Sequence, residues 1–276
     1  MPSTTPVDSA PLLGLDFSSS PSPRKPVVLA WGERRGAVVR LLALERLATL
    51  DALRERLCRA PAWLGGFDLP FGLPRELVEA LGWPLQWPAL MDHFCAQPRP
   101  QLRAQFQAFM APRPAGGKFA HRACDGPAGA SPSMKWVNPP VAWMMHAGVP
   151  VLRAAEASFP GLCPGRPERV ALEAYPGLLA RELIQRRSYK SDDAAKQTPE
   201  RLIARKDLVE ALEQGRSRLG LRLKLSHAQR DALVDDASGD SLDAVLCLMQ
   251  AAWASEQPRY GLPVEVDPIE GWIVSA

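Results

Sequence analysis

Short apolar runs, separated by loops rich in Gly, Pro and Ser, recur along the chain and predict β-strands. They cover residues 12–17, 27–31, 37–44, 63–71 and 169–174. The second and third runs flank a loop bounded by Gly32 and Gly36, so we expect them to form a hairpin. These runs therefore predict a sheet that contains a hairpin close to its first strand.

Apolar residues at helical spacing fill the intervals between these strands. Four leucines, Leu47, Leu50, Leu53 and Leu57, lie on one face of residues 45–58. Pro74 opens the next helix, at a position where its missing N–H costs least. The predicted helices cover residues 45–58, 74–81, 176–187, 199–212, 228–234 and 241–254. Strands that alternate with helices predict an α/β fold, with a mixed sheet and flanking helices.

Residues 83–167 interrupt this regularity and are rich in Pro, Gly and Trp. Within them the pattern predicts two helices, at 101–110 and 140–147. A segment this long inside an α/β pattern indicates an irregular insertion over a site rather than part of the scaffold. Residues 1–10 lack periodicity and are predicted to be a disordered lead-in. We therefore expect a single domain over residues 11–276.

Composition and charge narrow the class of protein. Of the 276 residues, 46% are hydrophobic and 23% are charged, which excludes a disordered or fibrous chain. The net charge of +3 is too small to indicate nucleic-acid binding by itself. The chain shows neither a signal-peptide pattern nor an apolar run long enough for a membrane span. Five scattered cysteines without a CxxC pair predict reduced thiols, so we expect a cytoplasmic protein that does not insert into membranes.

Three predicted strands end on an acid, namely Asp16, Asp68 and Glu173. Ligands of open α/β sheets bind at the carboxyl ends of parallel strands, so these side chains are candidates for one crevice. Asp240 and Asp243 are three positions apart at the start of the last predicted helix and can share one face. Clustered carboxylates repel each other, and a hard divalent cation offsets that repulsion. We therefore predict that these five acids hold Mg²⁺ or Mn²⁺.

Each acid also has a structural interpretation. Asp240 is suited to cap the last helix, and Asp68 precedes a proline-containing segment where it could form a turn. Asp16 could cap the serine-rich loop that follows it. Glu173 stands inside an otherwise apolar strand, and an ion pair with an arginine would explain it. Taken one at a time, most of these acids favour the structural interpretation; taken together, they favour a metal site.

Basic side chains near these acids are candidate phosphate contacts. Arg181, Arg187 and Lys190 follow the strand that ends at Glu173, and Lys135 lies in the insertion. A solvated helix face is the more frequent explanation for such a patch, but phosphate contacts fit beside an acidic metal site. We predict these four basic side chains as substrate contacts, with nucleic acid as the candidate partner.

Short motifs containing the acids occur in a defined order along the chain. They are residues 14–16 (GLD), 66–72 (GFDLPFG), 173–176 (EAYP), 240–244 (DSLDA) and 268–273 (PIEGWI). In this order and in its sequence of elements, the chain resembles the ribonuclease H-like superfold. More specifically, it resembles the domain of unknown function family 429, which is described as a family of predicted nucleases. The similarity spans most of the chain apart from its first ten residues and the variable middle.

The resemblance implies a metal-dependent nuclease. In characterised nucleases of this superfold, acids at the positions of Asp16, Asp68 and Asp243 hold two metal ions, and Asp240 is a second candidate on the helix. Glu173 lies outside that usual set. The metal ions would activate water and stabilise the leaving oxygen during in-line displacement at a phosphodiester.

Two other functions compete with a nuclease. Sugar kinases and actin-like ATPases share the superfold, but the loop after Asp16 (FSSSP) lacks the glycines that let a backbone wrap phosphates. A non-catalytic module would use the basic patches and the tryptophans around the insertion to bind nucleic acid or a protein. Because tryptophans more often pack in a core than serve as stacking platforms, we favour the nuclease.

Overall fold

The computed structural model of the chain describes residues 10–276, which form a seven-stranded mixed sheet between two layers of helices. The strands are β1 (Leu12–Asp16), β2 (Val27–Arg35), β3 (Val38–Leu47), β4 (Trp63–Asp68), β5 (Ala157–Ser158), β6 (Arg166–Glu173) and β7 (Arg222–Lys224). Their order across the sheet is β5-β6-β4-β1-β2-β3-β7. The predicted lead-in, residues 1–10, lies outside the described residues except for Ala10.

Helices cover both faces of this sheet. They are α1 (Leu50–Arg59), α2 (Arg75–Ala80), α3 (Trp87–Ala96), α4 (Arg99–Met110), α5 (Asp125–Ala128), α6 (Val141–Ala154), α7 (Pro176–Ile184), α8 (Pro199–Glu213), α9 (His227–Asp235) and α10 (Asp240–Ala254), with short 3-10 helices at Ala194–Lys196 and Pro258–Gly261. Buried apolar side chains of α7 to α10 pack on one face, which we call the α10 face. Those of α1 to α4 and α6 pack on the other, the insertion face. Within residues 10–276, none of the helices is both long enough and apolar enough to cross a membrane.

Strand direction places several carboxyl ends at one edge of the sheet. Among the described strands β2 alone runs antiparallel to the others, because it pairs antiparallel with both β1 and β3. The central strands β1, β4 and β6 are parallel neighbours. Their carboxyl ends carry Asp16, Asp68 and Glu173, as the apolar runs predict. This α/β architecture is consistent with the predicted ribonuclease H-like fold.

The hairpin and the first helix differ in detail from the expectation. Strand β2 ends at Arg35 and strand β3 begins at Val38, so the turn contains only Gly36 and Ala37. The helix expected over residues 45–58 begins at Leu50, since β3 extends to Leu47 through pairing with Val27. Thr49 then caps the helix by accepting a hydrogen bond from the backbone N of Ala52 at 3.1 Å. The interstrand pairing of β3 thus overrides the helical spacing at residues 45–47.

The insertion, residues 83–167, is more regular than its composition suggests. Helices α3, α4 and α6 supply large apolar side chains to the core of the insertion face. Trp83, Trp87 and Trp143 are buried in that core, which removes them as exposed stacking platforms. Residues 111–124 and 129–140 contain the irregular chain. The insertion therefore covers one face of the sheet, and its irregular part reaches the edge where the acids lie.

Candidate metal centre

Asp16 and Asp68 are direct neighbours at the carboxyl edge of the sheet. They are the last residues of β1 and β4, and they are partners in the parallel register of those strands. Side chains on paired strands point to the same face at each register position and alternate along the strand. Gly14 and Gly66, two residues earlier on each strand, face α10, so both carboxylates lie on the α10 face.

Those two glycines determine how closely α10 approaches the sheet. A Cβ atom at Gly14 would overlap the carbonyl oxygen of Ala244 and the backbone N of Leu248. A Cβ atom at Gly66 would overlap the carbonyl oxygen of Cys247. The helix backbone therefore rests directly on the two strands, at a distance that only glycine permits. The repeated Gly-x-Asp pattern of β1 and β4 thus combines a helix contact with an acid at the strand end.

This close packing brings Asp243 to the two strand-end carboxylates. Asp243 is fully buried in the first turn of α10, where the positive end of the helix dipole favours an acid. One oxygen from each of Asp16, Asp68 and Asp243 lies within 4.8 Å of the other two. We call these three side chains the acidic triad. Oxygen donors at this spacing match the preference of Mg²⁺ and Mn²⁺ for hard ligands.

The acidic triad carries more negative charge than its surroundings neutralise. Burial, then the charges of Asp243 and Asp68, raise the pKa of Asp16 well above its usual value. Burial and the charge of Asp243 raise the pKa of Asp68 to about 7, although Lys190 acts in the opposite direction. In the absence of a cation, both acids therefore keep their protons to a higher pH than an exposed aspartate does. A divalent ion that binds here must displace those protons.

Two neighbouring side chains, which follow α7, hold Asp243 from the other side. The hydroxyl of Tyr189 donates to Oδ1 of Asp243, and the ammonium of Lys190 contacts Oδ2. Burial alone would lower the pKa of Lys190, but the charges of Asp243 and Asp16 raise it, so the ammonium is retained. Both oxygens of Asp243 thus have hydrogen-bond donors.

A cleft of about 680 Å³ opens onto the acidic triad. Asp16, Asp68 and Lys190 line its acidic end, and the opposite wall comes from the insertion. The remaining lining combines further charged side chains with apolar side chains and hydroxyls, as follows: Lys25, Arg122, Glu173, Asp192, Asp240, Phe17, Leu69, Pro70, Ala130, Pro139, Pro140, Val141, Met144, Ala174, Ile273, Ser18, Ser19, Ser131, Tyr175, Ser191 and Ser238. A volume of this size is in the range of pockets that take small organic ligands. The triad is therefore reachable by a substrate group.

Glu173 is not one of the triad carboxylates, although its strand ends at the same edge and its side chain lines the same cleft. It is the register partner of Phe67, so it faces the insertion side while Asp68 faces α10. There Arg122 donates to both carboxylate oxygens, at 2.8 and 2.6 Å, and the backbone N of Phe71 donates at 2.9 Å. Burial raises the pKa of Glu173, and Arg122 opposes that effect. The arginine ion pair proposed as its structural interpretation is present, and its role as a metal ligand stays a prediction.

Asp240 lies near the triad but is not part of it. It is the first residue of α10, and the N-cap position expected for it belongs to Gly239. The carboxylate of Asp236 instead accepts the backbone N–H of Ser241 at 2.9 Å. Burial raises the pKa of Asp240, and Lys25 opposes that effect. Because it lines the cleft next to Asp16, Asp240 belongs to the rim of the site.

Three of the four predicted phosphate contacts lie away from the triad. Arg181 donates to the carbonyl oxygens of Gly129 and Ala128, both at 2.7 Å, and so ties α7 to the insertion. Arg187 pairs with Asp207, and Lys135 is half-buried outside the cleft lining. Lys190 alone of the four touches the triad. The predicted role of the other three in substrate binding gains no support from these contacts.

Sequence reasoning missed several residues that shape the site. Tyr189 and Arg122 lie in segments without periodicity, and nothing in the sequence links either one to an acid. Gly14 and Gly66 could have been recognised from the sequence, because each precedes an acid by two positions at the end of a predicted strand. That pattern indicates a helix packed against the acid-bearing face.

Comparison with known proteins identifies no relative of this chain. The chain matches no protein-family model, no curated protein and no solved structure. The resemblance to the domain of unknown function family 429 therefore stays a prediction from the motifs.

Proposed function

We propose that this protein is a divalent-metal-dependent hydrolase that cleaves phosphodiester bonds, with nucleic acid as its substrate. The observation that carries the proposal is the acidic triad, in which two register-paired strand ends and a helix place three carboxylates within 4.8 Å at one end of an open cleft. A cytoplasmic location and a nucleic-acid partner belong to the same proposal.

The donor set fits Mg²⁺ or Mn²⁺ because it consists of carboxylate oxygens alone. When bound, such an ion supplies a Lewis acid that activates water and neutralises charge developing on the phosphate. Asp16, Asp68 and Asp243 would hold the ion. Lys190, whose side chain is 43% exposed, presents a positive charge to a phosphate in the cleft. In the reaction, a water molecule gives up a proton as its oxygen forms a bond to phosphorus, the bond to the leaving oxygen breaks, and the leaving oxygen takes up a proton.

The structure favours this proposal over the two alternatives from the sequence. The loop between β1 and β2 contains no glycine, so it lacks the phosphate-wrapping backbone that a kinase or ATPase needs. A binding module that stacks bases on tryptophans would need exposed rings. Of the four tryptophans around the insertion, Trp83, Trp87 and Trp143 are buried, and Trp136 is half-buried against the core. Excess negative charge in a cleft also opposes metal-free binding of a polyanion. A cation bound by the triad would remove that obstacle.

Calorimetric titration with Mn²⁺ at pH 8 tests the metal site without knowledge of the substrate. We expect binding by the unaltered chain and its loss in Asp16→Asn and in Asp68→Asn. Asp231→Asn, which changes an exposed aspartate of α9, is the matched control and should bind as the unaltered chain does. Affinity should fall as the pH drops below 7, because Asp68 then keeps its proton. Equal binding by all four proteins would contradict the proposal.

Cleavage is then measured on single-stranded and double-stranded DNA and RNA with Mg²⁺ or Mn²⁺. We expect metal-dependent products from the unaltered chain and none from Asp16→Asn, whose folding is verified by circular dichroism. If a folded Asp16→Asn protein keeps full activity, the triad is not the catalytic centre. If it binds nucleic acid without metal as well as the unaltered chain does, the binding-module alternative replaces the hydrolase.

A further inference from the structure

Lys190 forms an ion pair with one member of the acidic triad, Asp243. Its ammonium contacts Oδ2 of Asp243, and the charges of Asp16 and Asp68 also act on it. The only other side chain that bonds Asp243 in the described residues is Tyr189, through its hydroxyl at Oδ1. Each oxygen of Asp243 thus has a donor from the same short segment.

The chain holds Lys190 in this position through several independent contacts. The aliphatic part of its side chain packs on Gly239, where a Cβ atom would come within 2.6 Å of the Lys190 Cβ. The buried Arg205 donates to the carbonyl oxygen of Tyr189 at 2.8 Å, which holds the residue before it. The backbone N of Ser191 donates to the carbonyl oxygen of Ala237 at 3.1 Å, which holds the residue after it. The lysine is therefore positioned before any ligand binds.

Charge balance in the triad then limits the number of metal ions. Three carboxylates carry three negative charges, and the ammonium of Lys190 neutralises one of them. The two that remain match the charge of a single divalent ion. We propose that Lys190 serves as a built-in cation of this site, so that the triad binds one divalent ion instead of two. The proposal rests on the metal site of the proposed function.

This inference changes the expected chemistry of the site. The resemblance to known nucleases implies two metal ions, whereas this geometry offers one ion together with an ammonium. Lys190 lines the cleft, so its uncontacted face can meet a phosphate oxygen of the substrate. The lysine also competes electrostatically with the ion, since both positive charges share the same three carboxylates. Its removal should therefore strengthen metal binding in the absence of substrate.

Mn²⁺ stoichiometry and affinity, measured by native mass spectrometry and calorimetry at pH 8, test this inference. We expect one Mn²⁺ per unaltered chain and one per Lys190→Arg chain. Lys190→Met, which keeps an unbranched side chain but removes the charge, should bind Mn²⁺ at least about tenfold more tightly. Lys196→Met removes an exposed lysine of the 3-10 helix at Ala194–Lys196 and controls for the change in net charge.

The outcomes separate this inference from the proposed function. Two Mn²⁺ ions in the unaltered chain would overturn the role of Lys190 while leaving the metal site intact, and this measurement does not depend on any variant folding. Unchanged or weaker binding by a folded Lys190→Met protein would also overturn it. Binding that survives Asp16→Asn and Asp68→Asn would instead overturn the proposed function.

Discussion

Two groups of buried or half-buried acids lie at the same edge of the sheet, on opposite faces, and both contribute to the lining of the cleft. The acidic triad lies on the α10 face. The Arg122 cluster lies on the insertion face and consists of Arg122, Asp125, Glu173 and Glu270. In this cluster the guanidinium donates to Asp125, to both oxygens of Glu173 and to the carbonyl oxygen of Glu270, at 2.6–3.1 Å. All of its N–H groups are therefore used.

The two groups differ in how their acids are neutralised. In the Arg122 cluster, backbone N–H groups supply the remaining bonds, from Phe71 to Glu173 and from Arg75 and Ala123 to the carboxylate of Glu270. In the triad, three carboxylates share one ammonium and one hydroxyl. Buried charge is tolerated only when it is paired and hydrogen-bonded. The Arg122 cluster therefore acts as a structural connection between the insertion and the sheet. The acidic triad keeps negative charge that a bound cation would neutralise.

The largest effect should come from removing the centre of the Arg122 cluster. Arg122→Met leaves Asp125 and Glu173 buried without their counter-charge, so we expect a loss of about 3–5 kcal/mol in the free energy of unfolding. Urea denaturation measures this loss. Arg54→Met is the control, because Arg54 forms an exposed pair with Asp51 and should change stability by less than about 1 kcal/mol. Similar losses in both variants would show that the cluster is not a structural connection.

A substitution at the glycine contact tests whether the triad depends on backbone packing. In Gly14→Ala the added methyl group overlaps the backbone of α10, so the helix must move. We expect a loss of about 1–3 kcal/mol in the free energy of unfolding, together with weaker Mn²⁺ binding. Gly126→Ala is the control, since a Cβ atom there meets no atom within 4 Å. Normal Mn²⁺ affinity in Gly14→Ala would show that metal binding by the triad does not depend on the contact between Gly14 and α10.

Removing one acid of the triad should stabilise the protein in the absence of metal. The pKa of Asp68 is raised to about 7, so the folded state holds a proton that the unfolded state releases near pH 4. The resulting stability is present below about pH 4 and is lost as the pH rises to about 7. We therefore expect the free energy of unfolding of metal-free Asp68→Asn to be about 1–3 kcal/mol higher than that of the unaltered chain at pH 8. Near pH 4 the two free energies should be equal. Thermal unfolding across this pH range measures the difference, and a destabilised variant at pH 8 would contradict it.

The smallest effect is expected at the rim of the site. Asp240→Asn should weaken Mn²⁺ binding by less than about tenfold, since Asp240 lies outside the triad and acts on the ion through its charge alone. Calorimetry at pH 8, with Asp16→Asn measured alongside, provides the comparison. If Asp240→Asn abolished binding as Asp16→Asn should, the ligand set would have to include Asp240.

The central strands and helices of the fold could be predicted because their patterns are strong and local. The apolar runs ending at Asp16 and Asp68, and the helical spacing before and after Asp243, predict elements that the structure contains. Parallel strands then bring their acids to one edge. The apolar runs alone do not show which face of the sheet each acid takes: the register partner of Glu173 is Phe67, so Glu173 faces the insertion side although it lines the same cleft.

Other parts of the site could not be predicted, because they depend on contacts between segments without periodicity. Lys190 lies in an irregular stretch after α7, and only the folded chain shows that it reaches Asp243 rather than solvent. Arg122 also lies outside any regular element, and its partner Glu173 is 51 positions away. The prolines of the insertion made it look irregular, although Pro88, Pro100 and Pro150 lie within helices whose apolar residues pack in the core.

The contact between α10 and the two glycines has a consequence for the thermodynamics of binding. The spacing between the strand-end acids and the helix is determined by backbone atoms, which have no rotamers to lose. A cation would therefore meet carboxylates that are already close together, and little conformational entropy would be spent in ordering them. The repulsion between these carboxylates instead lowers the free energy of unfolding, because the folded chain holds like charges together before an ion binds. We expect metal binding to release that electrostatic strain without reshaping the sheet.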